Sequence, residues 1–244
     1  MAKFGKWIGG GLGWAFGGPI GAIIGFTVGS MFDGGKGQSQ AGRNNGFSGK
    51  TTTGGYVMSL LVLVAAVMKA DGKILKSELE YVKKFMIHNF GEASAVEAIK
   101  MLKDLLQQTI PVDDVCHQIK QNMNYSARLQ LVHFMFGIAK ADGEVHANEQ
   151  KLIAHICTTM GISKGDFESI QAMFVPNTES DFKILEIERT ATNDELKKAY
   201  RRMAMKFHPD KVSHLGEDFQ NAAKEKFQKV NQAYENIKKE RNVA

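Results

Sequence analysis

The 244-residue sequence predicts an all-α chain, on three observations. No segment alternates apolar and polar residues with the period of two that a half-buried strand needs. From Tyr56 to Phe174 apolar residues recur at helical spacing, with breaks marked by Gly91, Pro111 and Gly161. Near the carboxy terminus two amphipathic stretches flank a His-Pro-Asp turn and can pack as an antiparallel hairpin.

Composition sets the outer bounds. Charged residues make up 23%, hydrophobic residues 43%, and the net charge is +5. These values describe an ordinary globular chain with a mild basic excess, which does not by itself indicate nucleic acid. Two cysteines, Cys116 and Cys157, stand far apart and in no CxxC pair. That excludes a disulfide framework and a zinc ribbon.

The first element, residues 1–33, reads as a glycine-rich membrane anchor. From Trp7 to Phe32 run 26 residues without a charge. As a helix they would span roughly 39 Å, against about 30 Å for a bilayer core. Gly5, Gly9, Gly13, Gly17, Gly21, Gly25 and Gly29 recur in steps of four. That ladder keeps one face small and suits helix self-association in lipid. Pro19 would kink the span near its middle. Residues 34–55 are rich in Gly, Ser, Thr, Gln and Asn and read as a flexible linker. The "SGKTT" within it lacks the earlier glycine of a phosphate loop, since Asn44 stands there.

Residues 56–175 form the next unit. "YVMSLLVLVAAVM" is too short to span a bilayer and reads as a buried core helix. Helices are expected over about 77–89, 93–108, 112–123, 126–140, 148–160 and 163–174. The unit contains a duplication: "KADGKILKSELEYVKKFM" from Lys69 returns as "KADGEVHANEQKLIAHIC" from Lys140, offset by 71. Each copy is an apolar helix, an Asp-Gly turn and a helix with an early glutamate. A calcium loop is excluded, because its first ligand positions would fall on Val67 and Lys69, or on Ile138 and Lys140. Two readings of Asp71, Glu78, Asp142 and Glu149 remain: helix-end electrostatics, or a composite acidic site for a metal ion. These duplicated helices resemble the TerB-like, tellurite-resistance-associated helical domain. The resemblance implies a metal-binding or protein-interaction surface.

Residues 180–244 form the last unit. Thr192 to Glu195 is a T-x-x-E capping box. On the helix it opens, Leu196, Ala199, Tyr200, Met203, Ala204 and Phe207 form one apolar stripe, and Lys197, Lys198, Arg201, Arg202 and Lys206 lie off it. Ala223, Phe227, Val230, Tyr234 and Ile237 give the second helix a matching stripe. The leading "DFKIL", the basic helix, "HPDK" and "KFQKVNQAYE" together resemble a J-domain of the DnaJ family. The order of the three segments is similar to the bacterial DjlA family of co-chaperones.

The resemblance implies a function. A J-domain docks on a DnaK-type chaperone and stimulates its ATPase activity. By motif match His208, Pro209 and Asp210 would be the trigger, and Lys197, Lys198, Arg201, Arg202 and Lys206 would meet an acidic surface of the partner. A cytosolic partner would place the chain in the bacterial inner membrane as a single pass, with its carboxy-terminal bulk cytoplasmic. The sequence assigns it no cofactor and no enzymatic activity, because no nucleophile–base pair or ligand cluster stands out. Nucleic acid is not expected as a partner, since the basic helix lacks interleaved aromatic residues. A second reading makes the TerB-like unit a metal or stress sensor with the J-domain as output.

Overall fold

The computed structural model describes residues 18–23, 53–175, 179–215 and 217–242. Among them every regular element is a helix. From Thr53 onward nine α-helices run α1 Thr53–Met68, α2 Lys76–Leu106, α3 Val112–Asn122, α4 Tyr125–Ala139, α5 Ala147–Thr159, α6 Lys164–Phe174, α7 Ser180–Ile184, α8 Asn193–Lys206 and α9 Glu217–Glu240. A 3₁₀ turn over Pro209–Leu215 joins the last two.

The centre of the molecule is the pair α1 and α4. From Tyr56 to Met68 no residue of α1 is more than 7% exposed. On α4 the run Leu129–Phe136, apart from His133, and Ile138 are likewise buried. A helix apolar on every side needs cover on every side. For α1 that cover comes from α2, α3, α4, α5 and the 3₁₀ turn. The duplication is visible here: α1 and α4 are the equivalent core helices, and each leads through an Asp-Gly turn into α2 or α5. Gly72 and Gly143 take positive φ at those turns, where a Cβ would be strained.

α2 absorbs two expected helices into one run, and the break expected at Gly91 is a kink there with φ 78°. Gly137 on α4 has a different reason. A Cβ at that position would collide with the hydroxyl of Tyr81 on α2, so the bare backbone lets the two helices approach closely. Tyr81 and Phe85 then stack against Phe134 at ring separations of 5.5 and 4.1 Å.

Most of the anchor reading, with its glycine ladder, falls on residues outside those described. The exception is residues 18–23. Gly18 is a bend and residues 19–23 are helical, so Pro19 stands at a first-turn position that it tolerates rather than at a kink within these residues. Ile20 and Ile23 are buried, and the Ile20 amide donates to Oε1 of Gln118 at 2.9 Å. No helix among the described residues is long and apolar enough to cross a membrane.

Gly137→Ala is expected to lower stability by about 1–3 kcal/mol, the usual cost of overpacking a filled core. Adding Tyr81→Phe should recover part of that loss by removing the colliding oxygen. Thermal melts of the three proteins check this. An unchanged melting temperature in Gly137→Ala would remove the close-approach explanation.

Candidate functional site

The carboxy-terminal hairpin is built as its sequence dictates. Thr192 Oγ1 accepts from the Glu195 amide at 3.3 Å, and Glu195 Oε2 accepts from the Thr192 amide at 2.7 Å. This reciprocal cap fixes the start of α8. Leu196, Ala199, Met203 and Phe207 are buried against Ala223, Val230, Ala233 and Ile237 of α9. Tyr200 is half-buried. Its ring stacks on Tyr234 at 4.3 Å and its hydroxyl donates to Asn231.

His208, Pro209 and Asp210 sit where α8 ends and the 3₁₀ turn begins. The side chains of His208 and Asp210 are 48% and 79% exposed. The triad is nevertheless ordered locally. The Asp210 amide donates to His208 Nδ1 at 3.2 Å, and the imidazole packs edge-on against Phe227 of α9. Beneath the exposed turn, Val212 and Leu215 are buried, and the turn contacts α1 and α4. The sequence reading missed this anchoring. Its one signal is the i, i+3 spacing of Val212 and Leu215, which matches the period of a 3₁₀ turn.

The five basic candidates separate into two groups. Lys197, Lys198 and Arg201 are exposed. Lys206 instead bridges to the helical domain, donating to its Asp166 Oδ1 at 2.7 Å and to Glu186 Oε1 of its own unit at 2.9 Å. Arg202 donates to the Leu185 carbonyl at 3.2 Å and faces Glu186. Asp166, 3% exposed, also accepts from the hydroxyls of Tyr125 and Ser163. Burial works against its charge. The bonds from Lys206, Ser163 and Tyr125 outweigh burial and hold the carboxyl below its usual range. Met205, one turn from Arg201, is 67% exposed, an apolar residue beside the basic group that the sequence reading passed over.

The four acidic candidates of the duplication also come into focus. Glu78 and Glu149 are the early glutamates of α2 and α5, and each caps its own helix. Glu78 accepts from the Leu75 amide at 2.7 Å and Glu149 from the His146 amide at 3.0 Å. Both are buried, and Glu149 lies close enough to act on the Glu78 carboxyl. Burial and a neighbouring like charge both favour the protonated form. Glu78 is accordingly pushed up to about 7, first by burial and then by Glu149 and Asp142. Asp142 bonds to His146 at 3.0 Å and to the Glu144 amide. Asp71 is exposed. Among the described residues no three His, Cys, Asp or Glu side chains converge as metal ligands. The structure therefore pairs Glu78 with Glu149 but does not assemble the four into one site.

Comparison with known proteins gives three matches in series. Residues 1–41 match the co-chaperone DjlA transmembrane domain, residues 58–172 the tellurite resistance protein TerB, and residues 181–243 the DnaJ domain. The chain is similar to the co-chaperone protein DjlA of Coxiella burnetii, 25% identical with both chains covered in full. It is 27% identical to that of Vibrio parahaemolyticus over 88% of this chain and 90% of the relative. It is 24% identical to that of Photobacterium profundum over 98% and 99%. No solved structure matches.

The glutamate pair gives a prediction with a definite sign. A carboxyl raised in the folded state binds its proton more tightly there than in the unfolded chain. Its contribution is therefore present at low pH and is lost as pH rises from about 4.3 through about 7. Glu78→Gln mimics the protonated side chain. Wild type and variant should melt alike near pH 4, and wild type should fall behind by about 3 kcal/mol above pH 7. The buried bases His133 and Lys226, lowered by burial, act in the opposite sense but are common to both proteins. A pH-independent difference would show that the Glu78 carboxyl is not raised in the folded protein.

Proposed function

We propose that this chain, a member of the DjlA-like type of DnaJ-family co-chaperones, recruits a DnaK-type chaperone and stimulates its ATPase activity at a membrane. The observation that carries this reading is the exposed His208-Pro209-Asp210 turn held on a buried hairpin. Pro209 restricts the backbone. The Asp210 carboxylate is positioned outward to accept a bidentate arginine from the partner. Lys197, Lys198 and Arg201 supply a positive face beside it that steers an acidic surface into register. Met205 adds an apolar contact at the edge of that face. Hydrolysis takes place on the partner, and no side chain of this chain acts as a catalyst. The amino-terminal segment tethers the recruiter to the inner membrane, with the folded domains on the cytoplasmic side where the partner resides.

The experiment is single-turnover ATPase of a DnaK-type chaperone with and without the full chain in detergent. Asp210→Asn should remove stimulation with helicity unchanged, because the loop contributes little burial. Reversing Lys198 and Arg201 to glutamate should weaken half-maximal stimulation about tenfold or more, and the wild-type response should decline with salt. Full stimulation by Asp210→Asn would end the reading.

The tether is tested separately. The full chain should remain with membranes through high-salt and alkaline washes, and a chain starting at Gly55 should be released. Recovery of the full chain in the wash would leave the co-chaperone reading standing but remove its membrane part.

A further inference from the structure

Between the helical domain and α9 lies a cavity of about 270 Å³ that the chaperone reading does not use. Tyr56, Tyr81, Phe85 and Phe134 provide aromatic walls, and α9 contributes Lys226. Lys226 is 1% exposed. It has no hydrogen-bond or ion-pair partner among the described residues, and only its sequence neighbour Glu225 acts on its charge. Gln130, also in the lining and 6% exposed, has an Oε1 with no donor. A lysine held at 1% exposure and an unpaired buried amide oxygen, both at one cavity, are unfavourable for folding alone. Such groups are expected to have a partner.

The chemistry of that partner follows from the lining. Lys226 offers donors to an anionic oxygen, and Gln130 Oε1 requires a donor in return. Lys84, His88 and His133 also line the cavity, together with Glu225; the basic side chains outnumber the single carboxylate, so the surroundings favour an anion over a cation. The aromatic walls suit an apolar body. The volume is near the low end of ligand pockets, which start at about 300 Å³, and holds a group the size of one substituted ring. We propose that this cavity binds a small acid, a carboxylate or phosphate anion on a ring-sized apolar body that also carries a hydrogen-bond donor. Burial keeps the Lys226 amine well below the usual lysine range. Because α9 forms one wall and the helical domain the others, the bound acid would tie the two domains together.

The test uses the full chain in detergent, titrated with 4-hydroxybenzoate, phenyl phosphate or inorganic phosphate while its melting temperature is followed. Saturable stabilisation by 4-hydroxybenzoate is expected for a carboxylate site, and by phenyl phosphate for a phosphate site. Inorganic phosphate alone should do little without the apolar body. Lys226→Met keeps the volume and removes the unpaired amine. It should melt higher than wild type when empty and lose the ligand response. Gln130→Leu should weaken the half-saturating concentration about tenfold with unchanged circular dichroism. The proposal is overturned if neither organic acid stabilises wild type, if inorganic phosphate matches them, or if Lys226→Met responds as wild type does. A Lys226→Met melting temperature below wild type would also overturn it, because the amine would then have a structural partner.

Discussion

Everything in this molecule is arranged to cover α1. A helix buried from Tyr56 to Met68 gains nothing from being amphipathic, and its apolar surface must be met from all directions. The duplication supplies the first solution, placing the equivalent helix α4 beside it and wrapping α2, α3 and α5 around the pair. The remaining gap is closed by parts of the chain that belong to other units. Val212 and Leu215 of the 3₁₀ turn enter from the J-domain, while Ile20 and Ile23 join the same core beside Gln118 of α3. The J-domain is therefore packed into the same core as the helical domain.

That packing decides which charges remain available. Lys206 lies on the same helix as Lys197, Lys198 and Arg201, but it points at the helical domain and ends on a carboxylate already bound by Tyr125 and Ser163. Removing one partner of a buried pair of this kind costs about 3–5 kcal/mol. The three exposed cations carry no such debt. A helix that looks uniformly basic in sequence is divided into a cohesive end and an outward-facing end.

The sequence made the elements legible and left their pairings hidden. The duplication, the breaks at Gly91, Pro111 and Gly161, and the capping box at Thr192 are local, so spacing and residue type revealed them. The apolar stripes of α8 and α9 announced the hairpin. Lys206 with Asp166 is separated by 40 residues, and no pattern links them. The mutual contact of Glu78 and Glu149 required knowing that the two copies face each other. Reading these glutamates as helix-end charges captured their caps but missed the raised Glu78 carboxyl, which follows first from burial. The anchor reading rests on the charge-free run and on the match of residues 1–41 to the co-chaperone DjlA transmembrane domain, and the described residues 18–23 do not extend it.

The division of the basic helix also bears on how the proposed docking would proceed. Steering depends on net field and acts over roughly a Debye length, about 8–10 Å at moderate ionic strength. It therefore needs exposed charge but no particular hydrogen bond. Lys197, Lys198 and Arg201 meet that requirement without disturbing any contact that holds the domains together. The His208-Pro209-Asp210 turn needs the opposite property, a fixed geometry, and it obtains it from the buried residues beneath it. Docking at the exposed end thus leaves Lys206 on Asp166 and the turn on α1 and α4. In this arrangement the helical domain supports the J-domain from behind and leaves its outward face open to a partner.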